Sequence, residues 1–238
     1  MTEKSYIDNF EANYPEILEN IKKSAEASGR RAEDITLLAA TKTVPVEAIN
    51  YAIGRGITHI GENRVQEFLS KEADLSPNVH RHFIGHLQSN KAKDIVGRVE
   101  MIESVHSIKL ASLIGGLSVQ RGITTDILLE VNIGREENKS GFLKEELDEA
   151  IARISEIEGI RLKGLMAIPP VCGTKQEIIP YFEEMYKLFI DNRAKKIDNV
   201  NMECLSMGMS SDYAEAIMYG SNIVRIGTSL FGKRNYNI

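Results

Sequence analysis

The chain has no tryptophan, and only two cysteines and six prolines among 238 residues. Cys172 and Cys204 stand far apart without metal-ligand spacing, so neither a disulfide framework nor a zinc site organises the fold. They read as reduced thiols of a cytoplasmic protein. An excess of positive charge is also lacking: 29 lysines and arginines stand against 34 acids, the formal net charge is −5, and the densest basic clusters are the pairs Arg30-Arg31 and Lys195-Lys196. That leaves no electrostatic footprint for nucleic acid or an anionic membrane. No apolar run approaches the roughly 20 residues of a membrane-spanning helix. The polar, acidic start (MTEKSYIDNFEANY) does not have the layout of a secretory signal. Linkers rich in Pro, Gly or Ser are missing too. What is present is 42% apolar residues, ample for one core. One domain over 1–238 is expected, with a helical segment at 1–34 and the main body at 35–231.

Glycine supplies the punctuation. Gly56, Gly97, Gly122, Gly159 and Gly220 each end a helical stretch just before an apolar run, the position where a left-handed residue closes a helix. The runs that follow are β-branched and apolar enough to be buried on both faces. In order they are ITLLAATK, ITHIGEN, VHRHFIG, VEMIESVH, TTDILLEVNI, IRLKGLMAIP, NMECLSMG and NIVRIGT. Between them lie helical stripes such as Leu147, Ile151 and Ile154, or Phe182, Met185 and Phe189. Pro45 suits a first helical turn. A further helix precedes the first strand, with Ile17, Leu18 and Ile21 apolar and Pro15 at its start. Eight alternating units in this length predict a single closed (β/α)8 barrel of parallel strands.

In such barrels the working residues lie at the C-terminal ends of the strands, and phosphate often binds near the last two. A closed barrel also brings its first and last strands together. That sets Lys42, at the end of the first strand, opposite Arg225-Ile226-Gly227-Thr228 at the end of the last. A lysine at a strand end is in most proteins a solvated charge. Here LLAAT precedes it, and a partly dehydrated amine is more readily neutral and nucleophilic. The backbone N–H groups of Gly227 and Thr228, with the Thr228 hydroxyl, suit phosphate oxygens. Ser206, on the neighbouring seventh strand, would add a hydroxyl, whereas Ser210, Ser211 and Asp212 read as helix caps. An amine facing a phosphate cradle is the layout that holds pyridoxal 5′-phosphate (PLP) as a Schiff base. Another phosphate ester, with Lys42 as a charge contact, fits the same residues. His86 reads as an acid/base group or as a hydrogen-bonded histidine of the mouth. Methionines 166, 207 and 209 read as packing.

Seven motifs in fixed order, AATKTVP, IGENRVQEF, HFIGHLQSNK, VNIGREENKSGF, GLMAIPP, LSMGMSSDYAEAI and VRIGTSLFG, resemble those of the pyridoxal phosphate homeostasis protein family. The fold of that family is similar to the barrel domain of bacterial alanine racemase. The resemblance implies PLP as cofactor, Lys42 as its covalent anchor, and Ser206, Gly227 and Thr228 as phosphate contacts. It further implies Arg225 at the pyridine nitrogen, Asn63 among the cofactor contacts, and no catalytic or metal-binding residues. Arg81 stands where a tryptophan is expected before HFIG.

The expected role is that of a PLP carrier acting in cofactor homeostasis and delivery, with PLP and apo PLP-dependent client enzymes as partners. A cytoplasmic monomer without nucleic-acid or membrane partners is expected. The alternative is a racemase-like amino-acid enzyme. Racemisation needs an acid/base group on each face of the substrate carbon, and the second one in alanine racemases comes with an additional C-terminal domain that this sequence does not show. Tyr213 or His86 would replace it only by coincidence of geometry. An arginine at the ring nitrogen also weakens the ring as an electron sink.

Overall fold

Each strand pairs in parallel with the next all the way round the molecule. The computed structural model describes residues 2–232, so Met1 and 233–238 of the expected domain span lie outside the described residues. The strands are β1 (Thr36–Ala40), β2 (His59–Glu62), β3 (His80–Phe83), β4 (Met101–Val105), β5 (Thr125–Val131), β6 (Ile160–Ala167), β7 (Val200–Met209) and β8 (Ile223–Ile226). They form a closed barrel in sequence order, every pair parallel, and β1 seals against β8 through Thr36↔Ile223 to Ala39↔Ile226. The (β/α)8 expectation holds.

The helices are α1 (Glu3–Ala27), α2 (Val46–Gly54), α3 (Val65–Lys71), α4 (Ile108–Gln120), α5 (Leu147–Ser155), α6 (Lys175–Ala194), α7 (Tyr213–Met218) and α8 (Thr228–Phe231). Between β3 and β4 the connection is only a 3-10 run, Ser89–Asp94. Pro45 is the N-cap of α2, and the helix-ending glycines take positive φ, as at Gly56 (113°) and Gly159 (79°).

Leu147, Ile151, Ile154, Phe182, Met185 and Phe189 all pack between helices and sheet. Inside the barrel lie two small apolar clusters, one of Leu38, Ala40, Ile84 and Ile223, the other of Met101, Leu128 and Met166. A Cβ on Gly61 would sit 2.4 Å from Leu38 Cδ2, so that layer has no room for a side chain on β2.

The first helix differs from expectation. It begins at Glu3, and Pro15 lies inside it. Its first half is held by tertiary contacts. Phe10 is buried against Tyr14 and Phe231, and Tyr6 is buried at the barrel rim. Each such ring buried contributes roughly 1.5–3 kcal/mol, enough to offset one missing backbone donor. Leu18 faces solvent, so the buried stripe is Phe10, Ile17, Ile21 and Ala25.

Candidate functional site at the barrel mouth

Lys42 follows β1 in a turn whose backbone is clamped on both sides. Thr41 is fully buried and donates its hydroxyl to Glu62 Oε1 at 2.6 Å. Thr43 has φ +65°, a left-handed conformation that a β-branched residue adopts only when held there. Its N–H donates to Glu67 Oε1, and its carbonyl accepts from the Tyr6 hydroxyl at 3.0 Å. Lys71 Nζ ties the cluster together, donating to Thr41 O at 3.1 Å, Glu62 Oε1 at 3.1 Å and Glu67 Oε1 at 2.7 Å. Burial raises the Glu62 carboxyl above its ordinary range, against the pull of Lys71 and the Thr41 hydrogen bond. The half-buried Lys42 side chain lines one narrow cleft together with Tyr6, Ala40, Gly227 and Thr228. The two strand ends that the sequence set opposite each other line the same narrow cleft.

Gly227 lies close against β1: a Cβ on it would stand 3.0 Å from the Ala40 carbonyl oxygen, a tight contact. The hydroxyl beside this turn is that of Ser210. Its oxygen accepts from the Gly227 and Ser229 amides at 3.3 and 3.1 Å, which leaves its own proton available to an anion. Ser206 is elsewhere. It is fully buried on β7, donates to Glu103 Oε2 at 2.6 Å, and accepts from Arg225 NH1 at 2.6 Å. Ser206, expected among the phosphate contacts, thus has its hydroxyl engaged by Glu103 and Arg225, and the hydroxyl beside the Gly227 turn is that of Ser210. Of the three candidate caps, Ser210, Ser211 and Asp212, the last takes the cap position. Asp212 is the N-cap of α7, and its Oδ1 accepts from the Met209 amide.

Arg225 is buried at the end of β8 and donates from NH2 to the Ala167 carbonyl at 2.8 Å. Below it, Glu103 Oε1 lies 2.6 Å from His82 Nδ1. Burial by itself would raise the Glu103 carboxyl, but His82, Arg225 and Ser206 outweigh it and hold it below the usual carboxylate range. On the far rim, Glu130 is pushed up to about 7 by burial, against the opposing pull of Arg225 and Lys139. Its Oε2 and the Asn63 Oδ1 are buried atoms without a hydrogen-bond partner. Asn63 is wedged against β3 because Gly85 lacks a side chain: a Cβ there would sit 2.1 Å from the Asn63 carbonyl oxygen.

Sequence reasoning missed His82, Glu103, Ser210, Glu130 and the Lys71 cluster. Glu103 had a signal, an acid in the middle of a strand otherwise read as buried on both faces, MIESV. His86 is exposed, bonded to Ser140 Oγ at 2.9 Å and stacked on His106. The Tyr213 hydroxyl accepts from Asn20 of α1. Arg81 is the second residue of β3, paired with Glu100, so the substitution for tryptophan lies away from the strand's C-terminal end. Among the described residues no His/Cys/Asp/Glu group is arranged to hold a metal ion, and no helix is long and apolar enough to cross a membrane.

The family model of the alanine racemase N-terminal domain matches residues 13–235. A pyridoxal phosphate homeostasis protein of Aquifex aeolicus is 42% identical over 221 residues, which is 92% of this chain and 96% of that protein. The one from Escherichia coli K12 is 35% identical over 94% of this chain and 97% of its own length. PipY of Synechococcus elongatus, solved with PLP bound, superposes with TM-score 0.78 at 31% identity, covering 89% of this chain and all of that one (100%). An alanine racemase of Clostridium difficile, at 18% identity and TM-score 0.72, shares the fold and extends well beyond it, since 97% of this chain matches 58% of that one.

Proposed function

The chain belongs to the pyridoxal phosphate homeostasis protein family, within the alanine racemase N-terminal domain fold, and from that premise we propose that it binds and carries PLP. The observation that supports this most is the single cleft lined by Lys42, Gly227 and Thr228. When bound, the cofactor supplies an aldehyde that condenses reversibly with a primary amine, and Lys42 is the amine we assign to it. The clamp of Lys71, Glu62, Glu67 and Tyr6 fixes the turn that carries this lysine. Ser210 would donate a hydrogen bond to the phosphate, with Gly227 and Thr228 beside it. Asn63, whose amide oxygen has no partner, would line the ring side of the site, and Arg225 would offer its N–H groups there.

Carrying rather than turnover fits the surroundings. The two groups that would replace a second acid/base residue, Tyr213 and His86, are engaged by Asn20 and Ser140. The same proposal has the protein acting in the cytoplasm as a single-domain monomer, delivering cofactor to apo PLP-dependent enzymes.

Borohydride treatment of the PLP-loaded protein, followed by peptide mass mapping, tests the anchor. The modification is expected on Lys42, and Lys42→Ala should lose the reducible visible band while keeping its thermal transition. Label on Lys71, Lys91 or Lys139 in the wild-type protein would refute the assignment.

A further inference from the structure

A chain of hydrogen bonds runs through the interior of the barrel and ends on Arg225. It uses one residue from each of four strands: His82 of β3, Glu103 of β4, Ser206 of β7 and Arg225 of β8. All four are buried. The three links, His82 Nδ1 to Glu103 Oε1, Ser206 Oγ to Glu103 Oε2 and Arg225 NH1 to Ser206 Oγ, are each 2.6 Å. The guanidinium and the Glu103 carboxylate are 3.9 Å apart, so Ser206 sits as a bridge between opposite charges.

Donor directions in the chain follow from chemistry. An ionised carboxylate only accepts and a guanidinium only donates. Ser206 therefore gives its proton to Glu103 and turns a lone pair to Arg225. His82 carries a proton on Nδ1 and gives it to the other carboxylate oxygen. With NH1 on Ser206 and NH2 on the Ala167 carbonyl, both ends of the guanidinium fork are fixed and its plane is set. Whatever meets the rest of that fork at the mouth has to be an acceptor.

We propose that Ser206 and Glu103, with His82 behind them, are positioning residues that aim the Arg225 guanidinium at the ring nitrogen of bound PLP and keep that nitrogen unprotonated. This rests on the reading of the mouth as a PLP site. The chain thereby sets the electronic character of the bound cofactor from inside the barrel, without touching it. An unprotonated ring nitrogen is a poor electron sink, which suits a carrier.

The test compares PLP with its deaza analogue, in which a carbon replaces the ring nitrogen. Ser206→Ala should weaken PLP binding about tenfold, the worth of one hydrogen bond to a charged group, and shift the absorption band of the bound cofactor. The deaza analogue, which offers Arg225 no acceptor, should bind wild type and variant within about twofold. Equal weakening of both ligands would mean a merely structural role and would overturn the proposal, as would an unchanged PLP affinity and band. Glu103→Gln and His82→Gln, read in the same way, carry the test if Ser206→Ala fails to fold. Wild-type protein treated with PLP and borohydride is the control. Absence of label on Lys42 there refutes the cofactor reading, whereas label on Lys42 with no ligand discrimination in the variants refutes only the positioning chain.

Discussion

Ser206 and Ser210 are four residues apart in one motif, and their hydroxyls face different chemistry. A regular strand carried on to Ser210 would put both on one face, but β7 ends at Met209. The ladder to β8 shifts register between Ser206 and Met209, and Gly208 takes φ +90°. That irregularity leaves Ser206 inside the barrel and carries Ser210 out to the Gly227 turn. Ser210→Ala should weaken PLP binding by about tenfold or more, because a hydrogen bond to a charged group is worth roughly 1.5–3 kcal/mol. Pyridoxal, which has no phosphate, should bind the variant almost as well as wild type. Ser206→Ala should not separate PLP from pyridoxal, since both carry the ring nitrogen. Titration of both ligands against both variants settles the assignment, and loss of phosphate discrimination in Ser206→Ala alone would reverse it.

At the scale of elements, α1 belongs to the site. Tyr6 holds the Thr43 carbonyl next to Lys42, while Asn9 and Asn13 donate to the carbonyls of Phe231 and Leu230 in α8, the helix that begins at Thr228. One helix thus braces both the turn after Lys42 and the helix that follows Gly227. Phe10 anchors it, fully buried between Tyr14, Tyr51 and Phe231. Phe10→Ala should lower unfolding stability by about 3–5 kcal/mol in denaturant titrations. It should also weaken PLP binding although Phe10 lies outside the cofactor contacts. A destabilised variant with wild-type affinity would confine α1 to a structural role. The second half of α1 was legible from Ile17 and Ile21. The first half was not, because Pro15 looks like a helix start and only contact with Phe231, more than two hundred positions away, shows otherwise.

Over the whole molecule, buried acids of opposite tendency shape the response to pH. Glu103 is held below the ordinary range and Glu130 is pushed up to about 7. A raised carboxyl means that the folded chain holds this proton more tightly than the unfolded one. The stability it contributes is present at low pH and lost as pH climbs from near the ordinary value of 4.5 through about 7. Glu130→Gln removes that loss, so its melting temperature should gain most over wild type at pH 8 and least at pH 5. An equal gain at both pH values would show that Glu130 does not titrate in this window. His59, lowered to about 4 by burial beside His82 and His80, acts with the other sign: its contribution is lost as pH falls below 6.5. Comparing wild type with Glu130→Gln isolates the carboxyl from it. The carrier reading also has a whole-molecule test. PLP-loaded protein incubated with L-alanine in deuterated water should show neither rapid Cα exchange nor D-alanine, since a positioned second proton donor contributes about 10²–10⁴-fold and Tyr213 and His86 are engaged elsewhere. Both products together would establish a racemase.

The sequence by itself determined the barrel, because alternation of buried strands and amphipathic helices is a local pattern and glycine marks each joint. It also determined that Lys42 meets Gly227 and Thr228, since closure of eight parallel strands leaves the first beside the last. Tertiary structure alone decided which hydroxyl meets the Gly227 turn, that α1 starts at Glu3, and that His82, Glu103, Ser206 and Arg225 form one chain. Those outcomes depend on register shifts and on contacts between residues about twenty to more than two hundred positions apart, across a barrel interior that no local periodicity describes.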